Sequence, residues 1–186
     1  MKINKTVFSE IIKIQLQNRY KTSKPEIERR FLVKDLPKDL GKGTEVIQGY
    51  LKTDDGTSVR LRKAGDKYFY TVKVGTGKIR NETEIEISAY LFNSLWHLTN
   101  GRRLRKTRYE IPYKYLTIQL DIYQKKLKGL LTVEVEFKTL EQCDNFIPPD
   151  WFDEEVTEIK SYTNRSFAKF GIPKGTPLHN TKKYLS

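Results

Sequence analysis

Residues 80–87 read RNETEIEI and residues 131–137 read LTVEVEF. In an extended chain successive side chains point to opposite faces. The first stretch therefore sets Arg80, Glu82, Glu84 and Glu86 on one face and Ile85 and Ile87 on the other. The second sets Glu134 and Glu136 opposite Leu131, Val133, Val135 and Phe137. The same split recurs along the chain: Arg60 and Arg62 against Val59 and Leu61, Lys106 and Arg108 within LRKTRYEI, Asp121 against Leu120 and Ile122, and Glu26, Glu28 and Arg30 near the start. One such strand is an ordinary sheet with a wet face. A whole set that groups acids with acids and bases with bases is different, because like charges two residues apart repel unless something of opposite sign lies between them. A bound metal ion and a bound polyphosphate supply those signs.

Working outward, short alternating runs bounded by turn residues predict strands near 26–33, 44–53, 58–63, 67–74, 80–87, 104–111, 116–123 and 130–137. Ser88 is placed to cap a helix carrying Leu91, Leu95 and Leu98 that Asn100 and Gly101 stop. Thr139 with Gln142 forms a capping box for a short helix ended by Pro148 and Pro149, and a last helix runs from about Thr163 to Phe170 before Gly171 and Pro173. The predicted class is α+β: an eight-stranded antiparallel β-barrel, closed, with a polar interior and helices packed outside. With no repeat, linker or low-complexity tract, residues 25–175 are read as one barrel domain. Residues 1–24 are an N-terminal extension of unknown role with a weak helical pattern through Phe8, Ile11, Ile12 and Leu16, and residues 176–186 are a C-terminal tail.

The chain has 186 residues, 37% hydrophobic and 31% charged, which suffices for one domain with its own core and leaves much charge to place. A single cysteine, Cys143, excludes an internal disulfide and a cysteine zinc site. No apolar run spans a bilayer and no signal peptide is legible, so a cytoplasmic protein with no membrane association is expected. A net charge of +12 suits nucleic acid, a membrane surface or another polyanion. The patterning directs the positive charge mostly into the barrel, so a small-molecule polyphosphate is the expected partner and nucleic acid is not. Only two histidines are present, His97 on the predicted helix and His179 in the tail. Oxygen-ligated Mg2+ or Mn2+ is then the natural catalyst rather than histidine-bound zinc or a histidine base.

These residues also resemble the CYTH domain of the triphosphate tunnel metalloenzymes. Its ExExK motif is matched by EIERRFLV (Glu26 to Val33). The resemblance continues in order through QGYL (Gln48 to Leu51), VRLR (Val59 to Arg62), YTVK (Tyr70 to Lys73), RNETEIEI, KTRY (Lys106 to Tyr109), LD (Leu120, Asp121), EVEF (Glu134 to Phe137), IPPDWFDEEVT (Ile147 to Thr157) and SYTN (Ser161 to Asn164), spanning about residues 26–173. It looks like the family's bacterial inorganic triphosphatase branch. The resemblance implies that Arg30, Arg60, Arg62, Lys73, Arg80, Lys106 and Arg108 bind triphosphate. It also implies that Glu26, Glu28, Glu134 and Glu136 hold Mg2+ or Mn2+, with Asp121, Glu82 and Glu84 as further ligands, and that Glu134, Glu136, Arg30 and Tyr50 form the catalytic centre. Two positions depart from the pattern: Arg30 stands where the motif has lysine, and Asp153 where a WFG segment has glycine.

The function implied is metal-dependent hydrolysis of a linear triphosphate, inorganic tripolyphosphate or a nucleoside triphosphate, by a monomer or homodimer. The alternatives are a class IV-type adenylyl cyclase, which needs a site for the base that no residue cluster supplies, and a non-catalytic polyphosphate- or RNA-binding module. Such a module has no use for paired carboxylates, which weaken polyanion binding unless a metal intervenes.

Overall fold

The computed structural model describes residues 24–53, 56–75 and 77–181; the helical pattern expected within residues 1–24 lies almost wholly outside them. The described residues form nine strands: β1 (Lys24–Val33), β2 (Thr44–Tyr50), β3 (Thr57–Ala64), β4 (Lys67–Val74), β5 (Ile79–Ile87), β6 (Arg103–Tyr113), β7 (Leu116–Tyr123), β8 (Leu131–Phe137) and β9 (Phe152–Glu155). Three α-helices accompany them: α1 (Ala89–Trp96), α2 (Leu140–Asp144) and α3 (Asn164–Phe170). Around the ring the order is β5-β4-β3-β2-β6-β7-β8-β1, and β1 pairs back onto β5, so eight antiparallel strands close a barrel.

Closure depends on β1. Its residues 24–27 pair with β5 along one edge and residues 27–32 with β8 along the other. Where β5 is left behind, Phe31 and Val33 pair instead with β9, a strand that the sequence pattern does not predict. The ring thereby leaves no long exposed strand edge.

Strand parity sends the apolar side chains outward, under cover. Phe31, Val33, Ile118, Leu120, Val133 and Val135 pack beneath Phe137, Phe146 and Phe152. Leu61, Ile85 and Ile87 pack beneath Leu91 and Phe92 of α1, whose first turn is capped by the Ser88 side chain accepting from the Leu91 N–H at 3.1 Å. The turn after α1 presses on β2 so closely that a Cβ on Gly49 would lie 2.6 Å from Thr99 Oγ1. Only glycine fits there.

A third cluster is built the other way round. Leu32, Tyr50, Leu104 and Tyr123 share the inward face of their strands with Arg30, Gln48, Lys106 and Asp121, yet they are buried against Phe167 and Ala168 of α3. Two helices thus cover the outside of the barrel, while α3 plugs one end of it. Thr163 caps α3, its side chain accepting from the Ser166 N–H, and Gly171 ends it at φ 87°. In the tail, the His179 N–H donates to Gly129 O at 2.9 Å.

Candidate functional site

Register brings the inward charges into contact. Glu28 lies opposite Glu136 and Arg30 opposite Glu134 across β1 and β8; Glu26 lies opposite Arg80 across β1 and β5. Arg30 points into the barrel as parity requires. Its Nε donates to Glu134 Oε1 at 3.0 Å and its Nη2 to Glu28 Oε1 at 2.6 Å, so one guanidinium fork ties two carboxylates together. Arg108 Nη2 reaches Glu134 at 2.8 Å and Arg80 Nη2 reaches Glu28 at 2.5 Å. Lys73 Nζ grips Glu26 through both oxygens, at 2.5 and 2.7 Å. Glu84 receives Arg60 at 3.1 Å, Arg62 at 2.6 Å and Thr71 Oγ1 at 2.7 Å, while Glu82 lies 3.2 Å from Lys73.

Lys106 and Asp121 also face inward and bond to each other, and Arg108 clasps Asp121 from above through Nε and Nη2 at 2.7 and 2.6 Å. This pair is sealed beneath the tunnel floor, 2% and 0% exposed, and borders neither of the cavities described below. Every other predicted site residue lines one of them. Tyr50 is buried near Arg30, but its hydroxyl accepts from Gln48 Nε2 at 2.9 Å.

Electrostatics follows the pairing. Burial opposes ionisation of Glu134, but the charges of Arg30, Arg108 and Lys106 outweigh it and hold the carboxyl well below the usual range. Burial likewise opposes the charge on Arg30, and Glu134 and Glu28 overcome it. Lys106 goes the other way: burial, with Arg108 adding to it, brings its ammonium down to about 8 despite Asp121. Glu136 sits exposed at the rim with no cation partner among the described residues, only Gln119 Nε2 at 3.5 Å, and burial of its carboxyl together with Glu26 and Glu134 raises its pKa. Burial, relieved by Lys73 and reinforced by Glu82, raises Glu26 as well.

Two cavities, of about 960 and 820 Å3, share Glu28, Arg60, Lys73 and Glu134 as lining and open at opposite mouths. The first mouth is acidic, with Glu26, Glu82, Glu110 and Glu136. The second is ringed by Lys52, Arg102, Lys160, Arg165 and Lys169. Within the barrel itself the seven predicted phosphate-binding cations face the seven predicted metal-binding acids, so the interior is close to neutral. The net charge of +12 is therefore carried elsewhere on the chain, contrary to the expectation that it points mostly into the barrel.

Three residues of the network fall within segments that resemble the family, yet the alternation of charge assigns them no role. Asn164 of α3 reaches into the barrel, where its Nδ2 donates to Glu134 at 3.2 Å and its Oδ1 accepts from Tyr123 at 2.7 Å and from Lys106 at 3.3 Å. Thr71 and Gln48 are isolated polar residues whose contacts with Glu84 and Tyr50 depend on register alone.

A closed barrel whose bore is lined by balanced acids and cations has the chemistry to hold a polyanion together with cations. Residues 24–159 match the model of the CYTH domain. The chain belongs to the CYTH domain family. It is similar to the inorganic triphosphatase of Nitrosomonas europaea, at 44% identity over 77% of this chain and 96% of that protein. It is 35% identical to the inorganic triphosphatase of Acetivibrio thermocellus, over 77% of this chain and 93% of that one. The crystal structure of an inorganic triphosphatase superposes with a TM-score of 0.59 at 42% identity, covering 77% of this chain and 94% of that one.

Proposed function

We propose that this protein hydrolyses linear triphosphates, inorganic tripolyphosphate foremost, with Mg2+ or Mn2+ as cofactor. The observation that carries this reading is a set of unspent donors: the Nε atoms of Arg60, Arg62 and Arg80, side chains that line the two cavities, are buried and have no acceptor among the described residues. A buried donor left unmade is costly. Phosphate oxygens are acceptors that guanidinium groups suit. The similarity to two inorganic triphosphatases supports the same substrate.

The acidic mouth fits a divalent cation by its donor chemistry. Glu26, Glu28, Glu134 and Glu136 offer hard oxygen ligands, and the carboxyls of Glu26 and Glu136 are raised chiefly by burial, with Glu82 adding to it at Glu26 and Glu26 and Glu134 adding to it at Glu136. Among the described residues no three such side chains are already arranged to hold a metal, since all but Glu136 are drawn onto lysine or arginine. Glu82 and Glu84 stand beside them on β5 and line the first cavity, whereas Asp121 on β7 is enclosed and borders neither cavity. When bound, the metal supplies Lewis acidity towards phosphate oxygens and water. Arg60, Arg62, Lys73, Arg80 and Arg108 bind and align the phosphate chain, and Arg30 fixes Glu28 and Glu134 in place. Phosphoryl transfer requires little beyond such positioning and charge neutralisation. We place this activity in the cytoplasm, on a small-molecule substrate; among the described residues no helix is long and apolar enough to cross a membrane.

The test offers purified protein tripolyphosphate, pyrophosphate, ATP and thiamine triphosphate with Mg2+ or Mn2+, resolving phosphate and cyclic AMP together. Tripolyphosphate is cleaved fastest. Cyclic AMP as the main product from ATP would sink the proposal in favour of a cyclase.

A further inference from the structure

The two mouths differ in kind. The cavity at the acidic mouth is lined by seven carboxylates and six cations, so its charge is close to balance. At the other, Lys52, Arg102, Lys160, Arg165 and Lys169 surround an 820 Å3 chamber in which Glu158 is the one acid, among the described residues, that does not belong to the tunnel network. None of these five cations forms an ion pair with a described carboxylate.

Two of the five are held rigidly without being neutralised. Arg165 donates through Nη1 to Thr57 O at 2.8 Å and through Nη2 to Thr53 O at 3.3 Å; Arg102 donates to Tyr50 O at 3.0 Å and Leu98 O at 2.8 Å. A backbone carbonyl orients a guanidinium and leaves its full charge in place. Lys160 and Lys169 are exposed beside them. The chamber continues into the tunnel past Arg30 and Arg80, sharing Arg60 and Lys73 with the first cavity. Fixed, unpaired positive charge that leads outward from a phosphate-binding bore is a track for more of the same anion.

We propose that this chamber binds the phosphate units of a linear polyphosphate that extend beyond the three held in the tunnel. The inference rests on the triphosphatase reading and makes chain length the quantity that the second mouth recognises. Because the described lining there carries no acid beyond Glu158 and the tunnel's own Glu28 and Glu134, the extra units are neutralised by lysine and arginine. Their binding is independent of divalent cations and weakened by salt.

Calorimetric titration in EDTA compares tripolyphosphate, tetrapolyphosphate and a longer linear polyphosphate of defined length, on the native protein and on a Lys160→Ala/Lys169→Ala variant. Both positions are exposed, so folding is not at stake. Affinity rises with length for the native protein. The variant loses about tenfold for the longest chain, as expected for two exposed charge contacts, while its tripolyphosphate affinity stays within about twofold. Equal affinity at all lengths overturns the proposal, as does an equal loss for tripolyphosphate in the variant. ATP bound more tightly than tetrapolyphosphate also overturns it, pointing to a base stacked on exposed Phe170 at this rim. Turnover of tripolyphosphate with Mg2+ is measured on the same samples. Turnover without length dependence sinks this inference alone; length dependence without turnover sinks the triphosphatase reading alone.

Discussion

Glu134 and Glu136 stand two residues apart on one face of β8, yet the same substitution has opposite consequences at the two positions. Glu134 is 7% exposed and compensates Arg30 and Arg108. Glu134→Gln removes one of the two carboxylates that each of Arg30 and Arg108 holds, which costs about 1–3 kcal/mol, so stability to urea and tripolyphosphate turnover both fall. Glu136 has no cation to abandon, and its carboxylate is crowded by Glu26 and Glu134. Glu136→Gln is expected to keep or raise the melting temperature while kcat falls. A Glu136→Gln protein that is both less stable and fully active contradicts this account. At Arg30 the planar fork sends separate donors to Glu28 and Glu134, and a lysine offers one compact ammonium instead, so Arg30→Lys weakens the tie between the two carboxylates. It should lower kcat more than it raises KM, measured at saturating metal. Lys106 gives a pH signature. Its ammonium titrates near 8 in the folded protein against 10.5 ordinarily. Between those values the unfolded chain binds the extra proton, so stability rises with pH across the window, by about 3 kcal/mol in all, and the penalty is complete below about pH 8. Urea titrations from pH 7.5 to 10 should show that rise, and Lys106→Met should flatten it.

Strand faces were legible because parity is an exact period: most of the inward set from Glu26 to Glu136 followed from alternation, with Lys73 and Tyr50 supplied by the family resemblance, and the eight barrel strands lie where the alternation predicts. Two elements were not legible, for different reasons. β9 is four residues, FDEE, too short to display a period and defined only by what β1 offers after Phe31. The role of α3 was hidden because its caps, Thr163 and Gly171, mark where a helix starts and stops but not whether it covers a barrel or plugs it. Asn164 stood within the SYTN segment of the family resemblance, but its role was not legible, since one asparagine at a helix start looks like any other. Tight contacts between elements are equally invisible. The approach of β2 to the turn at Thr99 is one, with Trp96 also within 2.9 Å of a Cβ placed on Gly49. Gly49→Ala is expected to cost about 1–3 kcal/mol by forcing that turn off the strand. A lowered urea midpoint with an unchanged slope checks it, and an unchanged midpoint would mean that the turn moves freely.

The barrel as assembled resembles a salt crystal more than an electropositive funnel: its cations and acids satisfy one another, and the surplus positive charge lies outside. A triphosphate entering alone takes arginines away from Glu28, Glu84 and Glu134 and leaves those carboxylates buried and unpaired. A metal ion entering alone takes the carboxylates and leaves the arginines facing each other. Either exchange by itself costs what the other would return, because an uncompensated buried charge is more expensive than a broken exposed pair is favourable. When both enter, phosphate oxygens take the cations, the metal takes the acids, and the interior returns to balance. Binding of the two should therefore be strongly cooperative, with a coupling of about 1–3 kcal/mol that is the same whichever is added first. Thermal unfolding with Mg2+ alone, with an imido analogue of tripolyphosphate that resists hydrolysis alone, and with both measures it directly. The combined shift in Tm exceeds the sum of the separate shifts. Association of metal and analogue in solution contributes to any such excess, so the decisive comparison is a Glu26→Gln/Glu136→Gln protein. It keeps every arginine, and its excess falls to the solution contribution. Additive shifts in the native protein, or an undiminished excess in that variant, would show that the acids do not exchange partners and that phosphate is held without disturbing them.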